Sequence, residues 1–284
     1  VLLRLRTFSG LVLVLMAFAS AAFAQTITAD TRATPTPKPT PIPTPQKIDL
    51  KNLTGEQIAE YAIFFYGLPG GRATLNQIRK TTLERGTANI LNAEGKIDTV
   101  PYQRFIIRGD SLSKEKIRLD QEFPAARYSL IYAEDKIFGV YNNTVFTPRE
   151  DAAKVFENQI WRGLEALLRF RENEAKVELA AKEKLMGVEY HVLDVTDKQE
   201  RKTRFYISAK TFRVMMLTYE DSGIKYKRKY YDYNYAQGTL VPYRTVLWTI
   251  EKLGEKVIEK QIEETEVGTI TFGQRVDDGL FAAS

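Results

Sequence analysis

The sequence contains no cysteine and a single histidine, His191. The first absence rules out disulfides and thiol nucleophiles, and the two together leave zinc centres and Cys–His catalysis without ligands. A serine triad would have to recruit His191, yet no Gly-x-Ser-x-Gly elbow occurs. His191 shares a strand face with Glu189, Leu193 and Val195 and reads as a strand residue rather than a base. Gly70-Gly71-Arg72 lacks the Lys-Ser/Thr and the preceding strand of a P-loop, so it reads as a helix-ending turn. Excess charge is scarce too. The formal net charge is +5, and losing Arg4 and Arg6 with a leader lowers it to +3 (5 − 2), which is weak for a surface that must neutralise nucleic-acid phosphates. No nucleic-acid partner, no metal, no cofactor and no catalytic residue is expected, and the chain is read as non-enzymatic. A chance glycosidase-like pair among its many acids, such as Glu263, Glu264 and Glu266, stays open on sequence alone.

Long apolar runs are almost absent. The exception is Leu11 to Ala19, which follows Arg4 and Arg6 and precedes Ala22-Phe23-Ala24. It is shorter than the roughly 20 residues a membrane span requires, and small residues stand where a signal peptidase cuts, so 1–24 is expected to be a secretory signal peptide. Residues 25–50 read as a disordered Pro/Thr-rich tether. From Thr34 to Gln46 proline recurs at alternate positions, which favours an extended spacer of about 3.1 Å per residue. Residues 51–284 hold the folded domain, placed by this export reading in the periplasm or envelope of a bacterium.

Within the domain, Leu53 to Leu68 has helical spacing with Thr54 as a cap, and Arg72 to Arg79 forms a short second helix. From Thr81 the period changes to two. Runs around Leu83–Leu91, Tyr102–Arg108, Lys116–Phe123, Tyr128–Tyr132 and Lys136–Tyr141 alternate as strands. Thr147-Pro148-Arg149-Glu150 then resembles a capping box before one amphipathic helix carrying Val155, Phe156, Ile160, Leu164 and Leu168. Strands resume near Val177 and end in three long ones; Tyr231, Tyr233 and Tyr235 are expected to share one face of the first, and Val246, Trp248 and Ile250 one face of the second with threonines opposite. Lys225, Lys227, Arg228 and Lys229 read as a solvated face, with contact to anionic lipid headgroups or peptidoglycan as its alternative use. The total is about ten or eleven strands and three helices. This is an α+β chain built on an antiparallel sheet long enough to twist and curl.

A tyrosine-rich strand, a glycine turn and Gly-Thr-Leu-Val-Pro-Tyr-Arg (Gly238 to Arg244), with the ending Val276-Asp277-Asp278-Gly279-Leu280-Phe281, resemble the LolA/LolB-type lipoprotein carriers. That broader group includes outer-membrane lipoprotein-sorting proteins, mycobacterial lipid carriers and the sensor domain of a periplasmic sigma-factor regulator. The resemblance covers about Gln57 to Phe281. It implies a strongly curved, unclosed (half) β-barrel whose concave face is covered by helices and holds acyl chains. It also implies an arginine that latches the cover helix, for which Arg85, Arg104, Arg108 and Arg118 are candidates. The proline-rich tether departs from the usual carrier pattern.

The expected function is binding or carriage of an apolar ligand, a lipid or an acylated protein, between sheet and helices. Phe105, Ile107, Leu119, Phe205, Ile207, Val246 and Trp248 are the candidates for the apolar lining, and Phe156, Ile160 and Leu164 for the cover. Core packing is the competing role for each. The rival function is a structural or sensory envelope module of the same fold, with a filled interior and a protein partner; peripheral contact with a membrane fits either.

Overall fold

The computed structural model describes residues 52–282. The signal peptide expected at 1–24 and the tether expected at 25–50 lie outside the described residues. The domain opens with α1 (Gly55–Tyr66) and α2 (Arg72–Ile78). The Thr54 hydroxyl accepts from the Gln57 amide at 3.2 Å while the Gln57 side chain accepts from the Thr54 amide at 2.9 Å, so two of the helix's orphan donors are satisfied reciprocally.

A first meander follows: β1 (Thr81–Leu91), β2 (Ile97–Ile107), β3 (Lys116–Glu122), β4 (Arg127–Ala133), β5 (Lys136–Tyr141) and β6 (Thr144–Phe146). A second runs β7 (Lys176–Leu185), β8 (Val188–Thr196), β9 (Lys202–Ser208), β10 (Val214–Asp221), β11 (Ile224–Ala236), β12 (Thr239–Leu253) and β13 (Lys256–Phe272). β1 pairs with β13, which fuses the two meanders into one antiparallel sheet with β6 and β7 at its edges. Thirteen strands curl under their own twist. The edges do not pair with each other, so the result is an unclosed, curved sheet. The strand count exceeds the expected ten or eleven, and β6 is a strand not expected: Asn142 and Asn143, with φ of 48° and 59°, close a two-residue hairpin after β5, as Glu134 and Asp135, with φ of 52° and 60°, do between β4 and β5.

Because β6 and β7 are opposite edges, the chain between them must traverse the sheet. It does so as α3 (Glu150–Trp161) and α4 (Leu164–Leu168), laid on the inner face. The single helix expected here is broken at Arg162-Gly163. A Cβ on Gly163 would stand 2.5 Å from the Gln159 carbonyl, so only glycine permits this tight junction. The capping box expected at Thr147 does not form: the helix starts at Glu150 behind an extended Arg149, and no side chain caps it. Arg149 instead forks onto Asp151, at 3.1 and 2.5 Å. Glu150 and Asp151 in the first turn still oppose the helix dipole.

Two apolar clusters lie on the inner face under α1 and α3, and a smaller one joins Val241, Ile270 and Phe272 to Ile78 of α2. Ile58, Ala59, Ala62, Ile63 and Tyr66 of α1 pack on Leu193, Phe205, Ile207 and Leu217. Phe156 and Ile160 of α3 pack on Tyr102, Ile117, Leu119, Leu130 and Tyr132. The outer face is covered in one place only among these clusters, where Phe105, Ile107, Ile131 and Phe138 lie under the closing turn Asp278–Phe281. Lys116 holds Asp278 at 2.7 Å and Arg118 donates to the Leu280 carbonyl at 2.9 Å.

Candidate functional site

A cleft of about 190 Å³ lies between the α3–α4 segment and strands from both meanders. Its roof is Phe156, Gln159, Ile160, Gly163, Leu164 and Glu165; its floor includes Ile106, Val241, Thr245, Thr265, Val267 and Ile270. On the other flank of α3 a second opening of about 520 Å³ runs between Val155 and Asn158 on the helix and Tyr219, Tyr226 and Leu247 on the sheet. Tyr219 and Tyr226 stack there with ring centroids 4.9 Å apart. The helix therefore sits on the sheet with space along both sides.

The walls are strongly charged. Glu165 on α4 binds Arg79 at 2.5 Å and Arg108 at 2.7 Å. Arg108 also reaches Glu115 at 3.2 Å, and Arg169 donates to the same carboxylate. Burial on its own would raise the Glu165 carboxyl, but the guanidinium groups of Arg108 and Arg79 outweigh it and hold the group at about 2. Glu115 moves the other way, because its burial outweighs the pull of Arg108 and Arg169. Nearer the roof, Glu84 accepts from Tyr102 at 2.8 Å and from Arg104 at 3.3 Å. Arg104 also reaches Gln159 of α3 at 3.4 Å. Of the four latch candidates, Arg104 and Arg108 thus touch the covering helices. Arg85 pairs across the sheet with Gln103, and Arg118 serves the closing turn.

The three helix residues expected as cover, Phe156, Ile160 and Leu164, all line the cleft, whereas none of the seven strand candidates does. Leu119 belongs to the cluster beneath α3, and Phe205 and Ile207 to the one beneath α1. Phe105 and Ile107 are on the outer face under the closing turn. Val246 and Trp248 pair with Lys229 and Lys227, whereas Leu247 between them pairs with Arg228 on the cleft side. Trp248 has two cations near its ring, with Lys227 and Lys229 nitrogens 5.1 and 5.6 Å from its centre.

The tyrosine row is split as well. Asp232 has φ of 52°, and beyond it Tyr233 turns inward to meet Tyr66 at 2.8 Å, while Tyr231 lies under Arg244. Arg228, read with its neighbours as a solvated face, is buried on the cleft side between Tyr226 and Tyr230. Strict alternation held the signal: Arg228 is the one charge in step with those tyrosines. His191 is a packed ring stacked on Phe212 at 5.9 Å, and its pKa is lowered by burial and then by Lys182. Among the described residues no cluster of His, Asp or Glu could hold a metal ion, and no helix is long and apolar enough to cross a membrane.

No protein-family model and no curated protein matches the sequence. Solved structures do match in shape. A LolA superfamily protein, NE2245 from Nitrosomonas europaea, superposes with a TM-score of 0.56 at 12% identity, covering 81% of this chain and 98% of that one. A DUF1329 family protein from Desulfovibrio piger superposes with a TM-score of 0.53 at 12% identity, covering 80% of this chain and 97% of that one. The fold is LolA-like.

Proposed function

We propose that this chain is a non-enzymatic protein of the bacterial envelope that shelters an apolar chain, from a lipid or an acylated protein, beneath α3. The observation that carries the reading is the cleft itself, roofed by Phe156, Ile160 and Leu164 on an inner-face cover with space along both sides. The LolA-like fold supports it. Ligand pockets for small molecules span roughly 300–1,000 Å³; in this reading the cleft of about 190 Å³ is the closed state. Admitting an acyl chain requires α3 to lift, and the break at Gly163 supplies a place to bend. Burial then contributes about 0.8 kcal/mol per CH₂, enough for binding without catalysis.

The neutral fluorophore N-phenyl-1-naphthylamine tests this with the full chain. Saturable binding, competed by dodecyl chains and weakened by Leu164→Ala at a temperature where that variant is still folded, is the expected result. Native mass spectra free of lipid, together with no saturable fluorescence, would refute the carrier reading and favour a filled module with a protein partner.

A further inference from the structure

Beneath the junction of α3 and α4 the inner face holds a cation without a counter-charge. Arg228 is 8% exposed and lines the cleft. Its Nη1 is 3.9 Å from where a Cβ on Gly163 would stand. Among the described residues no carboxylate lies within 4.0 Å of it. The acids around the same cleft are engaged elsewhere: Glu84 with Tyr102 and Arg104, Glu115 and Glu165 with the Arg79–Arg108–Arg169 group, and Glu263 with the Thr265 hydroxyl at 3.0 Å. Glu263 acts on Arg228 only from beyond ion-pair distance.

Two phenols neighbour the guanidinium. Tyr219 already carries Arg162 over its ring at 5.2 Å, which adds positive charge rather than removing it. The buried Tyr230 hydroxyl lies beside the Arg228 guanidinium and the Leu164 backbone but meets neither in good hydrogen-bond geometry. Leaving a buried charge unpaired is costly, and so is leaving a buried hydroxyl unpaired. Here both groups can donate, and both border space under an apolar roof. An arginine fork matches the paired oxygens of a carboxylate or a phosphate.

We propose that Arg228 and Tyr230 bind the anionic head, carboxylate or phosphate, of a single-chain amphiphile whose tail lies under α3. This rests on the apolar-chain reading above and goes further by assigning the head a charge and a place. Tail burial gives affinity, and the head fixes which end enters beneath Gly163.

The test is displacement of N-phenyl-1-naphthylamine from the full chain by dodecanoate, dodecyl phosphate, methyl dodecanoate and inorganic phosphate. Dodecanoate and dodecyl phosphate are expected to compete at concentrations about tenfold below the ester or lower, the worth of a hydrogen bond to a charged group, and inorganic phosphate not at all. Arg228→Gln should erase the difference between acid and ester, each displacement being read against the variant's own affinity for the neutral fluorophore, and Arg228→Lys should restore part of it. An ester as potent as the acid on the unmodified chain would overturn the anionic head while leaving the apolar cleft standing. Inorganic phosphate that competes with dodecyl phosphate at equal concentration would overturn the amphiphile in favour of a free-anion site. No binding of the neutral fluorophore would sink both readings. Because the acid–ester comparison needs no variant, a misfolded Arg228→Gln cannot rescue the proposal.

Discussion

The two covers of the inner face differ in what lies beneath them. Under α1 the packing is complete: Ile58, Ala59, Ala62, Phe205 and Ile207 have no exposed surface. The one polar group at the end of this cover is also satisfied, since the Tyr66 hydroxyl meets Tyr233 and accepts from the Val214 amide at 3.2 Å. Under α3 the packing is partial. Phe156 and Ile160 seal one side, while charged pairs and open space occupy the rest. The same sheet thus has a solid half that fixes the fold and a half that is held by a few contacts. Low local packing is what a moving element requires.

Truncations should separate the halves. Phe205→Ala is expected to cost about 3–5 kcal/mol in urea unfolding, because its neighbours cannot collapse into the void. Removing a charge from the second half should be comparably severe for a different reason. Glu165→Gln strands Arg79 and Arg108 and is expected to cost about 3–5 kcal/mol at neutral pH. That deficit should depend on acidity. The folded-state pKa of Glu165 lies below its ordinary value, at about 2, so its contribution is fully present above the unfolded pKa and is lost as pH falls through the folded one. The stability gap between wild type and Glu165→Gln should therefore narrow from about pH 4.5 to pH 2. Glu115 is shifted in the opposite sense, but it is present in both proteins, so the difference isolates Glu165. A gap constant over that range would contradict the network.

Smaller effects sharpen the contrast. Leu164→Ala borders existing space, so it should cost about 2 kcal/mol, the low end for a leucine truncation, yet alter fluorophore binding. Trp248→Ala lies on the outer face beside Lys227 and Lys229. It should cost about 1 kcal/mol and leave fluorophore binding unchanged; loss of binding there would place the ligand on the wrong side of the sheet.

These assignments show how much of the molecule its sequence discloses. Alternation located the strands of both meanders, and helical spacing placed Phe156, Ile160 and Leu164 on the face that looks into the cleft. Alternation cannot say which face is inward, and here both faces carry apolar residues. Phe105 and Ile107 look like lining because they are core, but the closing turn buries them from outside. Trp248 resembles core and is covered by lysine nitrogens instead. Asp232 exchanges the faces of Tyr231 and Tyr233 through one left-handed residue, a conformation aspartate tolerates better than most. Joining β1 to β13, residues far apart in the chain, follows from no local pattern, and neither does the cleft that this pairing floors.

The most direct test of the contrast between the two covers is amide hydrogen exchange in α1 and α3, measured on the full chain with and without saturating dodecanoate. The account predicts that α3 exchanges much faster than α1 in the free protein and becomes protected when the amphiphile binds, with α1 unchanged. Equal protection of the two helices in both states would contradict it.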